Sequence, residues 1–169
     1  ENNNKTQQQD IEQTKKRANT GIACLDIVAR MNRVDVDMRA VVKEYGVETV
    51  DLPAEELVRI AQNTGFKIKR KNVKIDEISP QYPLPAIAQM QDESYVVILG
   101  IKKDENKVLI LDPLASQPEP IEIKEFERKI NDGIFILKHK NLVSDMKFGF
   151  KWFFNEILNY KKIIAQVLL

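Results

Sequence analysis

Two side chains are candidates for nucleophilic and acid–base chemistry, the single cysteine Cys24 and the single histidine His139. A thiol paired with an imidazole can attack a carbonyl carbon, because the imidazole takes the proton and the thiolate is the nucleophile. One cysteine cannot form a disulfide within the chain, and the two residues cannot supply the four ligands of a structural zinc site. We expect Cys24 to be a buried small residue on a helix. His139 follows the last predicted strand among lysines, and we expect it to be a solvated surface residue.

The composition describes one ordinary globular domain without a strong charge of either sign. The chain has 169 residues, of which 43% are hydrophobic, enough to build a core. Its 26 basic and 25 acidic side chains leave a formal net charge of +1. Because the chain is nearly neutral and lacks a zinc-finger or RNA-binding motif, no nucleic-acid partner is expected. It contains no Gly-rich phosphate-binding loop, so no cofactor is expected within this segment.

Helical patterns fill the first half of the predicted domain. Apolar residues recur at helical spacing in three stretches, which begin at Thr20, at Val36 and at Asp51. Asn19 or Thr20 would cap the first helix, and Gly46 would close the second. Pro53 lies just inside the start of the third helix, which we expect to stop at Gly65.

Strand patterns fill the second half. The period of the apolar residues changes to two after Gly65. Strands are predicted over six short stretches: 66–69, 85–90, 95–101, 107–111, 121–123 and 133–138. A small helix is predicted over 124–129, and the polar loop between the third and fourth strands indicates a hairpin. Helices followed by an antiparallel sheet make an α+β domain over residues 19–140.

The two ends of the chain differ from its middle. Residues 1–18 are rich in Asn, Gln and charge, which predicts a polar flexible tail. Residues 141–169 are predicted to form a linker, an amphipathic helix at a membrane interface and the start of a first transmembrane helix. This prediction depends on lysines interleaved with aromatic residues ahead of a final apolar run: Phe148, Phe150, Lys151, Trp152, Phe153, Phe154, Lys161, Lys162 and residues 163–169. An amphipathic helix packed on its own domain would show the same periodicity.

Two segments carry a resemblance to a known family. The first reads Thr-Gly-Ile-Ala-Cys-Leu from Thr20, and the second reads Ser-Tyr-Val-Val from Ser94, followed by Asp112 and Pro113. In order and spacing they resemble the double-glycine-leader peptidases, the papain-like domains that precede many bacterial peptide exporters. The resemblance covers about residues 12–140 and implies a papain-like cysteine-peptidase fold, with N-terminal helices packed on an antiparallel sheet.

The departures from the family pattern imply a domain without peptidase activity. Carried over residue by residue, the nucleophile position is Thr20, the general-base position is Ser94, and only the orienting acid, Asp112, is retained. The upstream glutamine of the oxyanion hole falls on Thr14, with Gln13 one residue out of register. A threonine hydroxyl has a much higher pKa than a thiol and needs a strong base, which a serine cannot be. Loss of such residues lowers the rate on the order of 10⁴- to 10⁶-fold.

The resemblance therefore implies a binding module. Peptidase-like domains of haemolysin-type exporters are the nearest pattern, and they are thought to hold the substrate before transport. We expect a substrate-recruiting domain of a type I secretion ABC transporter, on the cytoplasmic side of the bacterial inner membrane. It would bind unfolded cargo, such as an RTX-type toxin or adhesin, without cleaving it. The candidate contacts are the three family positions and three aromatic residues for which core packing is the alternative: Thr20, Ser94, Asp112, Phe66, Tyr82 and Tyr95.

The same resemblance implies the other partners. ATP and Mg²⁺ would bind a motor domain beyond residue 169, the transporter would be a homodimer, and membrane-fusion and outer-membrane components would join it. Two alternatives remain open. The domain could be a residual leader peptidase that uses Cys24 or Thr20, or a purely structural domain that braces the exporter.

Overall fold

The computed structural model of the protein describes residues 19–45, 51–72, 74–75, 78 and 83–139. The predicted tail at 1–18, the candidate contact Tyr82 and the predicted membrane-proximal segment at 141–169 lie outside these residues. No helix within the described ranges is long and apolar enough to cross a membrane.

Three helices come first, as predicted. They are α1 (Thr20–Met31), α2 (Met38–Tyr45) and α3 (Ala54–Asn63). Asn19 caps α1, because its side-chain oxygen accepts the Ile22 N–H at 2.9 Å. The predicted start of α3 at Asp51 is wrong by three residues: Pro53 is the N-cap, with an extended ψ of 150°.

The strands form one antiparallel sheet with six strands among the described residues. They are β1 (Phe66–Lys71), β2 (Ala86–Met90), β3 (Tyr95–Lys102), β4 (Lys107–Leu111), β5 (Glu119–Glu122) and β6 (Ile130–His139), with helix α4 (Ile123–Lys129) between the last two. Their order across the sheet is β1-β6-β2-β3-β4-β5, and each neighbouring pair is antiparallel. The polar hairpin between β3 and β4 agrees with the sequence pattern.

The last strand begins earlier than its sequence pattern predicted, and a glycine makes this possible. Gly133 adopts a φ of +91°, and a Cβ built on it would lie 2.7 Å from the carbonyl oxygen of Lys71. A residue with a side chain would therefore be strained there and would collide with the neighbouring backbone. Gly133 lets β6 run from Ile130 past the end of β1.

Each face of the sheet carries its own hydrophobic core. On one face the helices α1, α2 and α3 bury Leu25, Leu57, Ile60, Tyr95, Val97 and Phe135, among others. On the other face α4, through Phe126 among others, and residues 75 and 78 cover the strand residues Ala86, Val96, Ile98, Val108 and Ile136. Residues 95–99 of β3 alternate between the two cores, as the two-residue period of a strand requires. We call them the helix face and the α4 face.

Candidate functional site

The hydroxyl of Thr20 is fully engaged at the start of α1. Thr20 donates twice to the same carboxylate oxygen of Asp51, from its backbone N–H and from its hydroxyl, each over 2.6 Å. Its hydroxyl oxygen also accepts the backbone N–H of Tyr95 at 2.7 Å. Thr20 is only 4% exposed. Thr20, which the resemblance assigns to the nucleophile position, therefore joins a loop, a helix and a strand, and its proton is directed at a carboxylate.

Asp51 is a site residue that the sequence analysis missed. It lies in the loop that precedes α3 and brings a carboxylate to the first turn of α1. The unpaired N–H groups and the dipole of a helix favour negative charge at this end. In a peptidase of this type the same field would stabilise a thiolate. Here the carboxylate of Asp51 lies in that field. The Asp-Leu-Pro sequence before α3 was the only signal for this role of Asp51, and the same sequence is equally typical of the first residues of a helix.

Tyr95, and not Ser94, is the β3 side chain that faces the start of α1. A Cβ built on Gly21 would lie 3.1 Å from the Tyr95 ring, so the ring packs directly on the first turn of the helix. The Tyr95 hydroxyl donates to the carbonyl of Leu52 at 2.6 Å, and the side chain is completely buried. Burial, reinforced by the negative charge of Asp51, raises the pKa of Tyr95 well above its usual range. The phenol stays neutral and serves as a structural anchor.

Ser94 lies on the opposite side of the strand. Its hydroxyl and its backbone N–H both donate to Asp92, over 2.5 and 3.1 Å. Asp112 is exposed after β4, where its carboxylate accepts the N–H of Leu114 at 2.8 Å and forms a local turn. The structure thus brings together Ser94 and Asp112, which line one groove, while Thr20 is held with Asp51 and Tyr95.

Two of the predicted aromatic contacts are core residues. Phe66 is 2% exposed and Tyr95 is completely buried, and both belong to the helix-face core. A bound peptide could not contact either ring in this conformation. Core packing, the alternative considered from the sequence, describes both positions.

Cys24 and His139 lie on different elements, the helix α1 and the end of β6. Cys24 is completely buried one turn into α1, and burial, reinforced by the charges of Asp112 and Asp51, raises the pKa of its thiol. His139 ends β6 beside Phe66, with the two ring centroids 5.4 Å apart, so it is partly buried and not the solvated residue we expected. It pairs with Phe66 of the edge strand β1, whereas α1, which carries Cys24, packs mainly against β3. A thiol–imidazole pair is therefore not formed among the described residues.

A groove lies next to Ser94 and Asp112. It has a volume of about 620 Å³ and is lined by β2 to β5, by the β2–β3 turn and by α4. Its floor is apolar and its edges carry both carboxylates and lysines. In the part of the chain that the structure describes, no three His, Cys, Asp or Glu residues are close enough to hold a metal ion.

Comparisons with known proteins agree with this architecture. The sequence profile of the Peptidase C39 family matches residues 8–142. The leukotoxin export ATP-binding protein LtxB of Aggregatibacter actinomycetemcomitans is 22% identical over 158 residues, which cover 92% of this chain and 22% of that protein. The alpha-hemolysin translocation ATP-binding protein HlyB of Escherichia coli is 25% identical over 151 residues, 88% of this chain and 21% of that protein. The chain thus spans about a fifth of the length of these relatives.

Solved structures give the same picture. The N-terminal peptidase C39-like domain of a toxin secretion ATP-binding protein from Vibrio parahaemolyticus matches with a TM-score of 0.62 at 19% identity, over 72% of this chain and 98% of that one. A double glycine motif protease from an AMS/PCAT transporter, in complex with its leader peptide, matches with a TM-score of 0.60 at 23% identity, over 72% and 85%. At these identities the likeness concerns the fold, and it confirms the predicted α+β papain-like architecture.

Proposed function

The chain belongs to the Peptidase C39 family, and from this we propose that it recruits unfolded polypeptide cargo to a type I secretion ABC exporter without cleaving it. The domain would extend over residues 19–140, on the cytoplasmic side of the bacterial inner membrane. Residues 141–169 would lead from it into the first membrane helix. The ATPase motor, the homodimer contacts and the membrane-fusion and outer-membrane partners would belong to the rest of the exporter.

We infer the absence of cleavage from one observation, the hydrogen bonds that Thr20 makes. A nucleophilic hydroxyl needs a base that removes its proton and a lone pair directed at the substrate. The proton of Thr20 points to Asp51, and its oxygen accepts the Tyr95 N–H. Attack by Thr20 would require breaking a buried network in which three elements meet. This supports a domain that binds without hydrolysing.

The candidate nucleophile Cys24 meets a different obstacle. Its side chain is completely buried, and its raised pKa keeps it a neutral thiol near pH 7. A neutral thiol is a weak nucleophile, and a buried one cannot reach a peptide bond. The histidine that would have to activate it lies at the far end of β6. These facts weigh against the residual-peptidase alternative.

Recruitment is supported by the relatives and by the shape of the sheet. LtxB and HlyB are named as export or translocation ATP-binding proteins of toxins, and one fold neighbour holds a leader peptide. The groove beside Ser94 and Asp112 is wide enough for an extended chain and has an apolar floor. Extended peptides bind such surfaces with side-chain pockets supplying the selectivity. Cargo would therefore contact Ser94 and Asp112, and Thr20 would be structural.

A titration of the ¹⁵N-labelled chain tests recruitment. An RTX-type polypeptide is added once unfolded in low urea and once folded, with urea held constant in both series. We expect saturable amide shifts with the unfolded form only, clustered at the groove. Equal shifts with the folded form, or none with either form, would refute recruitment and favour a domain that braces the exporter.

A further inference from the structure

The groove combines an apolar floor with exposed carboxylates. Val96, Ile110 and Ile121 come from three adjacent strands and belong to the α4-face core or pack against it. Ile110 and Ile121 remain partly exposed, and Met90 extends the floor toward the β2–β3 turn. From β2 to β5 the floor crosses three strand spacings, about 14 Å. An extended segment of about four residues spans that width.

Negative charge is concentrated around this floor. Five acidic residues line the groove, against two basic residues, Lys107 and Lys129: Asp92, Asp112, Glu119, Glu122 and Glu125. The excess of three negative charges contrasts with the whole chain, whose formal net charge is +1. Lys129 is already paired with Glu125 at 2.6 Å, so it does not neutralise the others.

Glu119 and Glu122 are the groove carboxylates on the edge strand, and Glu122 stands opposite Lys107 in the register of β4 and β5. Both are exposed on the edge strand β5, and neither has an ion-pair partner among the described residues. Glu119 stands directly opposite Ile110 in the register of β4 and β5. A ligand side chain that covers Ile110 would therefore bring its neighbours close to the Glu119 carboxylate.

The spacing of the carboxylates fits a ligand with several separated positive charges better than a single metal ion. No three acidic residues in the described ranges converge closely enough to hold a metal. Carboxylates spread around an apolar floor match a ligand whose positive charges are also spread, at intervals along a backbone. In an extended peptide alternate side chains point to opposite sides, so the apolar residues can meet the floor while their basic neighbours point away from it. Lysine and arginine side chains are long and flexible enough to bend back to the carboxylates at the edges.

We propose that this groove selects cargo segments in which basic residues alternate with apolar ones. The inference rests on the proposed recruiting function and names the face and the chemistry that it uses. Apolar contact supplies the affinity, and the carboxylates discriminate against acidic segments by leaving two like charges close together.

Three synthetic peptides test the selectivity on the ¹⁵N-labelled chain. In the first, lysine alternates with leucine; in the others glutamine or glutamate replaces each lysine. We expect the lysine peptide to bind at least about tenfold more tightly than the glutamine peptide at low salt, with shifts at Val96, Ile110 and Ile121. The glutamate peptide should not shift these residues. Preference should weaken as salt rises, because exposed charges are screened over about 10 Å at 0.1 M.

Charge-reversal variants test whether Glu119 and Glu122 cause the preference for the lysine peptide. Glu119→Lys with Glu122→Lys should weaken lysine-peptide binding about tenfold, since each exposed charge contributes a few-fold and reversal turns attraction into repulsion. The control is Asp35→Lys with Glu44→Lys, which makes the same change in net charge at exposed positions near α2. The control pair should leave binding within about twofold of the parent.

The outcomes separate this inference from the proposed function. If unfolded cargo binds but the groove variants have no effect, or if the glutamine or glutamate peptide binds as well as the lysine peptide, the groove assignment is wrong and recruitment stands. If neither cargo nor any peptide binds, both are wrong. Groove shifts that depend on protein concentration without peptide would assign the face to a second copy of the chain and also overturn the inference.

Discussion

Replacing Thr20 by valine isolates the role of its hydroxyl, because the two side chains have nearly the same shape. Thr20→Val leaves the Tyr95 N–H without its acceptor and removes one of the two donors to Asp51. An unpaired buried amide costs about 1–3 kcal/mol, and a lost hydrogen bond to a carboxylate costs about 1.5–3 kcal/mol. Since the two effects share one atom, we expect a loss of about 3 kcal/mol in the free energy of unfolding.

Urea unfolding followed by far-ultraviolet circular dichroism measures this loss. With a slope of about 2 kcal/mol per molar urea, the midpoint should fall by about 1.5 M at unchanged slope. Thr20→Ser keeps the hydroxyl and should lose only about 1 kcal/mol, from one methyl group. Ser94→Ala is the matched control at the other family position. Its hydroxyl bonds only to exposed Asp92, so its effect should stay within about 0.5 kcal/mol.

A double-mutant cycle tests whether Thr20 and Asp51 act together. Thr20→Val and Asp51→Ala should each destabilise the domain, and the double variant should lose less than their sum by at least about 1 kcal/mol. The reasoning is refuted if Thr20→Val is as stable as the parent within about 0.5 kcal/mol, or if the two substitutions are additive. The Thr20 hydroxyl would then contribute nothing to the stability of the contacts with Asp51 and Tyr95.

Three further predictions concern buried groups. Iodoacetamide should alkylate Cys24 at least about a hundredfold more slowly in the native protein than in urea, as followed by mass spectrometry; equal rates would mean that the thiol is accessible. The pKa values of Cys24 and Tyr95 are raised in the folded protein, so folding favours their neutral forms. Their contribution to the free energy of unfolding is complete below about pH 8.5. It is lost as the pH rises past the pKa values of the unfolded chain, about 8.5 for the thiol and about 10 for the phenol. Urea midpoints should accordingly fall above pH 9 and fall less steeply above pH 10 in Tyr95→Phe; an unchanged slope would contradict this. Gly133→Ala should cost about 3 kcal/mol, because φ is +91° and the new Cβ would meet the Lys71 carbonyl, and a thermal midpoint within about 2 °C of the parent would show that the backbone relaxes there.

Local patterns were enough to predict most of the fold. The helical spacing of apolar residues and the later change to a period of two predicted the helices and strands in the right order. Both patterns depend only on residues that are close together in the sequence. The errors fall at ends of elements. Pro53 has a φ suited to a helix, but its extended ψ makes it a cap, so α3 begins at Ala54. At Gly133 the strand continues through a positive φ. The reason is the close approach of the Lys71 backbone, a tertiary contact that the neighbouring residues do not indicate.

The site was less predictable because its contacts are long-range. Thr20 is 31 residues from Asp51 and 75 from Tyr95, and no periodicity links such positions. Motif spacing assigned Thr20 to the nucleophile position, but it could not show that a carboxylate would lie at the start of the helix. It also assigned the base position to Ser94, whose side chain lies on the α4 face, whereas Tyr95 points toward α1.

Mass spectrometry of leader peptides incubated with the chain tests the central claim, that the domain does not cut the polypeptides it is proposed to bind. Peptides ending in a double glycine followed by a short passenger are incubated for a day at pH 7 beside a buffer control. We expect no product above the buffer control from the parent chain, nor from Thr20→Cys, because a thiol at that position would still lack an imidazole. Cleavage after the double glycine by the parent, abolished in Thr20→Val or Cys24→Ala, would contradict the claim.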